Sequence, residues 1–137
     1  MRSGLLLIAV GALLAVAALK AEDTATAVFT EQQAADGGVA YAKHCASCHL
    51  PDLSGNSEIP PLAGATFVDT WRSRTTKDLR DYMSAAMPYG APSLEADTYT
   101  VITAYVLQVN GAVAGDEKLA ASTAVPIGQV IPKGRTN

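Results

Sequence analysis

The stretch Cys45-Ala46-Ser47-Cys48-His49 decides how the rest of this 137-residue chain is read. Two thiols separated by two residues and followed at once by an imidazole spell C-x-x-C-H, the attachment signature of a c-type haem. The spacing has a physical basis. At the end of a helix both thiols reach the two vinyl groups of one porphyrin, and the adjacent His49 lies under the iron as proximal ligand. Three plainer readings compete. Zinc would draw on Cys45, Cys48, His44 and His49, yet zinc sites take paired ligands from separated segments, and the chain has only these two cysteines and two histidines. A redox Cys-x-x-Cys expects a thioredoxin-like βαβ setting. A structural disulfide explains neither the following His nor the helix before it. One covalent haem c is therefore expected, with His44 as a surface residue.

Working outward, Thr30-Glu31-Gln32-Gln33 has the reciprocal capping pattern, so a helix should begin at Thr30 and run to about His44. Gly37 and Gly38 lie inside it. Paired glycines weaken a helix interior, so they mark either a close approach of another helix or a local kink. Downstream, Leu50 to Gly64 is a loop punctuated by Pro51, Gly55, Asn56, Pro60, Pro61 and Gly64. Thr75 or Thr76 opens a second helix with Asp78 in its first turn, and Pro88 ends it. Ser93 is the next expected N-cap, with Glu95 and Asp97 where a helix dipole favours negative charge. That third helix carries Tyr99, Ile102, Tyr105, Val106 and Val109 at helical spacing and closes at Asn110-Gly111. No strand pattern competes. The class is small and all-α.

An iron held by one His needs its other face explained. Met87 is the expected distal ligand, because it precedes Pro88 and so sits in extended backbone, where a loop presents its sulfur. A thioether opposite His raises the reduction potential. Met83 is the competitor, but it lies inside the expected helix, where Met usually fills core. A third possibility leaves both as packing residues, with the site open or bis-His. His44 adjoins the attachment loop and cannot reach the opposite face.

Residues 1–21 read as a secretory leader: Arg2, then an apolar run of 16 residues from Gly4 to Leu19, then small-residue exits at Ala15-Val16-Ala17 or Leu19-Lys20-Ala21. The alternative is an uncleaved anchor, although a span usually needs about 20 apolar residues. Either reading puts the functional domain outside the cytoplasm, in the periplasm. Residues 22–29 follow as a linker, 30–111 as the folded domain and 112–137 as a C-terminal tail packed on or extending from it. Setting Arg2 and Lys20 aside leaves eight basic against 13 acidic residues, a formal net of −5, which excludes a nucleic-acid binder built on charge. Of the apolar residues after the leader, only 32 are larger than Ala. Small domains with such thin material usually need a disulfide, metal or cofactor. A flat apolar porphyrin tied at Cys45 and Cys48 would supply the missing centre.

Several further elements fit the haem reading. They are Gly37-x-x-x-Tyr41 ahead of the motif, Pro60-Pro61-Leu62-x-Gly64, Trp71-x-x-Arg74-Thr75, Met87-Pro88-x-Gly90-x-Pro92-Ser93-Leu94, and Tyr99 with Ala104-Tyr105 to Asn110-Gly111. Over roughly residues 30–120 the chain resembles class I c-type cytochromes, and more closely the cytochrome c modules associated with quinoprotein (PQQ-dependent) alcohol dehydrogenases. The resemblance implies the class I cytochrome c fold, three to four helices around one haem. It also implies that Pro60, or alternatively Pro61, offers its carbonyl to the His49 imidazole and fixes its tautomer. Gly37 would let the first helix cross the last at Tyr105. Trp71 and Arg74 would contact the haem propionates, against a plainer reading as a core-edge Trp and a solvated Arg. The chain departs from its relatives in the Met loop, where many carry an extra Gly between Pro and Ser, and it is expected to stand alone without an attached dehydrogenase domain.

The resulting expectation is a stand-alone periplasmic electron carrier rather than an enzyme. It would pass single electrons from a dehydrogenase, by resemblance a PQQ-type alcohol or aldehyde dehydrogenase, to a membrane oxidase or another cytochrome in the respiratory chain. It would meet the membrane itself only if the leader is retained. The alternatives are a haem subunit of a larger complex and a haem enzyme or gas sensor with a labile distal ligand. Arg72, Arg74, Lys77 and Arg80 are offset by Asp69, Asp78 and Asp81, which reads as a solvated helix face.

Overall fold

Thr30 sets the first helix in place. Its Oγ1 accepts from the Gln33 N–H, and Gln33 Oε1 accepts from the Thr30 N–H, both at 3.2 Å. This is the reciprocal capping box expected there. The structure, a computed structural model, describes residues 25–134, so the expected leader lies outside the described residues. Within them are α1 (Glu31–His44), α2 (Ala46–His49), α3 (Ala65–Trp71), α4 (Thr76–Ala86), α5 (Ala96–Val109) and α6 (Ile127–Val130). No strand is present among the described residues, only an isolated bridge between Thr75 and Pro126. The all-α class expected from the sequence is the class observed.

The two longest helices, α1 and α5, cross at Gly37. A Cβ built on Gly37 would lie 2.0 Å from the Val101 carbonyl oxygen and 2.8 Å from Tyr105 Cβ, so only glycine allows this approach. Of the two readings of the paired glycines, close helix approach is the one observed. Tyr41, one turn on, stacks obliquely on Tyr105 with ring centroids 5.4 Å apart. α5 ends as Asn110-Gly111 implied. The Ala112 N–H bonds the Leu107 carbonyl (3.1 Å) and the Gly111 N–H bonds the Gln108 carbonyl (2.9 Å), with Gly111 at φ 94°.

Three features depart from the sequence reading, and the tail resolves to one of its two expected placements. α5 starts at Ala96 with Glu95 at its N-cap, not after Ser93. The Leu94 N–H is taken by the Tyr99 hydroxyl instead, which keeps residues 93–94 out of the helix. α3 was not expected, because its seven residues are too few to show a period. It is launched by Gly64 at φ 85° and buries Phe67 and Val68. The expected linker is core: Phe29 is fully buried, and its carbonyl accepts from the Gly115 N–H at 2.8 Å. The tail also packs inward. Ile127, Val130 and Ile131 are fully buried in and beside α6, and the Ile127 and Gly128 N–H groups bond the carbonyls of Arg74 and Arg72. Packing on the domain is one of the two placements expected for the tail, whereas the linker's two apolar residues, Val28 and Phe29, are too few to register as a pattern.

Candidate functional site

Cys45 closes α1, its N–H bonding the Tyr41 carbonyl at 2.8 Å, and it also opens the single turn of α2. The N–H groups of Cys48 and His49 both point back to the Cys45 carbonyl, at 3.1 and 2.9 Å. The motif is thereby wound into one helical turn. Cys45 is half-buried and Cys48 exposed, and both are free thiols. Burial, then the neighbouring Cys48, pushes the Cys45 thiol up from its ordinary value.

The loop after the motif is shaped to deliver one carbonyl. The Tyr41 hydroxyl donates to the Leu50 carbonyl at 2.6 Å. Burial is the main reason its phenol is pushed up, which keeps it a donor. Leu50 and Leu53 take positive φ values of 65° and 62° to turn the chain, and Leu53 is buried as an anchor. The Gly55 N–H bonds the His49 carbonyl at 3.1 Å and the Leu62 N–H bonds the Leu53 carbonyl at 2.8 Å. The result brings the Pro60 carbonyl oxygen to 3.0 Å from His49 Nδ1. A carbonyl only accepts, so Nδ1 must carry the proton. Of the two neutral tautomers this bond selects the one that leaves the Nε2 lone pair free, as a metal ligand requires.

His49 forms part of the wall of a cavity of about 630 Å³, within the range of about 300–1,000 Å³ usual for cofactor sites. Cys45, Cys48, Pro60 and Pro61 also line it, as do Met83, Met87, Trp71 and Tyr82. Leu79, Leu94, Ile102 and Val106 make the interior apolar. His44 is half-buried and also lines the cavity, contrary to the surface position expected for it. It ends the same helix that delivers Cys45. Arg74 is absent from the lining. It is exposed, its guanidinium 5.1 Å from the Trp71 ring centroid, so the pair expected at one site is stacked with only the Trp on the cavity. Among the described residues no set of three or more His, Cys, Asp or Glu side chains is grouped as a metal-holding cluster, so the zinc alternative has no ligand set there.

Met87 caps α4 in extended backbone (φ −128°, ψ 145°), the geometry its position before Pro88 implied. Its N–H bonds the Met83 carbonyl at 2.8 Å, and its own carbonyl accepts from the Tyr99 hydroxyl at 2.6 Å. Two fastening residues were not recognised in the sequence. Tyr99 read only as a helical core position. Asn110 read only as a helix end, yet it is fully buried and ties α5 to the loop beside Pro60. Its Nδ2 donates to the carbonyls of Leu62 (2.9 Å) and Val106 (2.8 Å), and its Oδ1 accepts from the Gly64 N–H (2.9 Å).

An apolar, cofactor-sized cavity lined in part by a helical C-x-x-C-H turn fits a porphyrin, and the fold and site define a monohaem c-type cytochrome domain. The chain matches the family model described as cytochrome c oxidase, cbb3-type, subunit III, over residues 32–106, and it belongs to that family. Cys45 and Cys48 are the residues that bind its haem c covalently. Among solved structures, it is similar to a chain of the sulfane dehydrogenase SoxCD from Paracoccus pantotrophus, at 26% identity and a TM-score of 0.51. That likeness covers 78% of this chain and 61% of the SoxCD chain. No curated protein shows a significant match.

Proposed function

We propose that this chain is a periplasmic electron carrier whose iron is held by His49 and Met87 and which relays single electrons from a dehydrogenase towards the respiratory chain. The observation carrying the reading is one apolar cavity lined by His49, with its Nδ1 engaged by Pro60, and by Met87 at the end of α4. The haem supplies a one-electron Fe(III)/Fe(II) couple, and a thioether opposite His favours the reduced state. The chain's own residues do the rest. Cys45 and Cys48 fix the group against loss, Pro60 holds the His49 tautomer, and the Leu79–Ile102–Val106 interior excludes water. With His49 and Met87 both holding the iron, no position would remain for a substrate, which favours a carrier over an enzyme or gas sensor.

The test is the optical spectrum of the purified protein. A His–Met charge-transfer band in the oxidised form should vanish in Met87→Ala and survive in Met83→Ala. The reverse result would transfer the ligand role to Met83.

A second reading makes the domain a haem subunit of a larger oxidoreductase. Membership of the cbb3 subunit III family and the likeness to a SoxCD chain support it. The narrower pairing with a PQQ-type alcohol or aldehyde dehydrogenase rests on motif resemblance alone. Isolation of the native protein as a stable redox-active monomer would favour the free carrier. Co-purification with a fixed stoichiometric partner would favour the subunit.

A further inference from the structure

The segment from Met87 to Leu94 is short of fastenings. Tyr89 is 93% exposed, and residues 90–93 are exposed as well. The backbone bonds of the segment are the Met87 N–H to the Met83 carbonyl, which belongs to the end of α4, and a turn from the Ala91 N–H to the Pro88 carbonyl at 3.0 Å. Neither ties the segment to the body of the domain. Leu94 packs against the core, and the hydrogen bonds that join the segment to the body come from one phenol. Tyr99 is 4% exposed, in the first turn of α5, and its hydroxyl engages both ends of the segment at once. It donates to the Met87 carbonyl at 2.6 Å and accepts from the Leu94 N–H at 3.3 Å. Tyr99 is itself seated firmly, since its backbone carbonyl accepts from the buried Thr103 hydroxyl at 2.8 Å.

We infer that Tyr99 is a positioning residue for the distal ligand: its hydroxyl closes the 87–94 segment into a loop and holds the Met87 backbone so that the side chain stays in the cavity. The inference rests on the assignment of Met87 as iron ligand. The single oxygen atom is both donor and acceptor, so removing it frees both ends of the loop together. Phe retains the ring and its packing, and so removes the fastening alone.

The experiment is a titration of the oxidised, haem-loaded protein with imidazole, which competes with the methionine sulfur, followed by loss of the His–Met band. Tyr99→Phe should bind imidazole about tenfold more tightly than wild type, the scale of one to two lost neutral hydrogen bonds. Tyr105→Phe, which deletes the same atom from the same helix at the α1 crossing, should match wild type. Equal imidazole affinity for Tyr99→Phe and wild type would overturn the inference. Met87→Ala separates it from the reading beneath it. If Met87→Ala keeps the band, the ligand assignment falls and the inference with it. If the band is lost there while Tyr99→Phe behaves as wild type, only the role of Tyr99 falls. Hydrogen exchange on the wild-type protein gives a check that needs no variant. The Leu94 amide should exchange far more slowly than that of Gly90, and equal rates would refute the clamp.

Discussion

Gly37→Ala is the perturbation that tests the architecture most directly. An added methyl at Gly37 would sit 2.0 Å from the Val101 carbonyl oxygen, 2.7 Å from its carbon and 2.8 Å from Tyr105 Cβ. The two closest of these are backbone atoms of α5, so no rotamer change relieves the clash and the helices must separate. Overpacking of this kind costs about 1–3 kcal/mol, and sometimes more. Against it stands the gain of about 1 kcal/mol from replacing glycine by alanine inside a helix. Because the clash is with backbone that cannot rotate away, the cost falls at the upper end of that range, for a net loss of about 2 kcal/mol. A domain of this size melts about 4–8 °C lower per kcal/mol lost, so thermal unfolding followed by helical circular dichroism should show a drop of about 10 °C. Gly38→Ala is the internal comparison. Its methyl would meet only the Tyr105 ring, at 3.3 Å, so the propensity gain should about cancel or exceed a small adjustment. Gly37→Ala melting with wild type, or no lower than Gly38→Ala, would refute the claim that the α1–α5 crossing requires a missing side chain.

Other perturbations reach the remaining parts of the structure. Asn110→Ala strands the Gly64 N–H and the Leu62 carbonyl and should cost about 3 kcal/mol in denaturant unfolding, at about 1–3 kcal/mol for each buried group left unpaired. Phe29→Ala should cost about 3–5 kcal/mol in the same assay, because that ring is fully buried although it lies before the first helix. The Asp78 carboxylate is held below its ordinary value of 3.8, first by the Thr75 N–H and then by the Thr75 hydroxyl. Its contribution to stability is therefore present above about pH 4 and lost as pH falls through the depressed folded value. Asp78→Asn should flatten that part of the acid limb in melts recorded against pH. Cys45→Ala/Cys48→Ala, expressed without haem, should lack a cooperative melt. Without haem an apolar cleft of about 630 Å³ would be left unfilled at the centre of a small domain whose total stability is only about 5–15 kcal/mol.

The parts of the fold legible in the sequence are those fixed by local chemistry. Thr30 with Gln33, Thr75 with Asp78, and Asn110-Gly111 each announce a helix end because capping involves residues within a few positions of one another. The C-x-x-C-H turn is legible for the same reason. What stayed hidden depends on long-range pairing. Gln33 illustrates both. Its cap on Thr30 follows from spacing, but it also exchanges hydrogen bonds with the backbone of Leu119, a contact spanning 86 positions that no local pattern reveals. The burial of Phe29 and Ile131 belongs to this second kind, as does the partnership of Tyr99 with Met87. Arg74 lies over the Trp71 ring at the surface, a stacking that the spacing of the two residues in sequence does not reveal.

The two segments that bring His49 and Met87 to the cavity are secured by different means, and this asymmetry bears on how the site would fail. On the His49 side the chain is tied repeatedly: the Tyr41 hydroxyl to Leu50, Gly55 to the His49 carbonyl, Leu62 to Leu53, and Asn110 to Leu62. Loss of any one leaves the others, and the two cysteines add covalent attachment beside the ligand. On the Met87 side the exposed segment is hydrogen-bonded to the domain body through the Tyr99 oxygen. Local opening follows the weakest set of contacts, so ligand exchange, like any entry of small molecules to the iron, should begin at Met87 while His49 remains bound. A carrier built this way keeps its cofactor when its distal loop opens and returns to the closed state without reassembly. That order of events predicts that acid or denaturant abolishes the His–Met band well before the α-helical signal falls, and coincident loss of the two would show the loop to be as firmly held as the core.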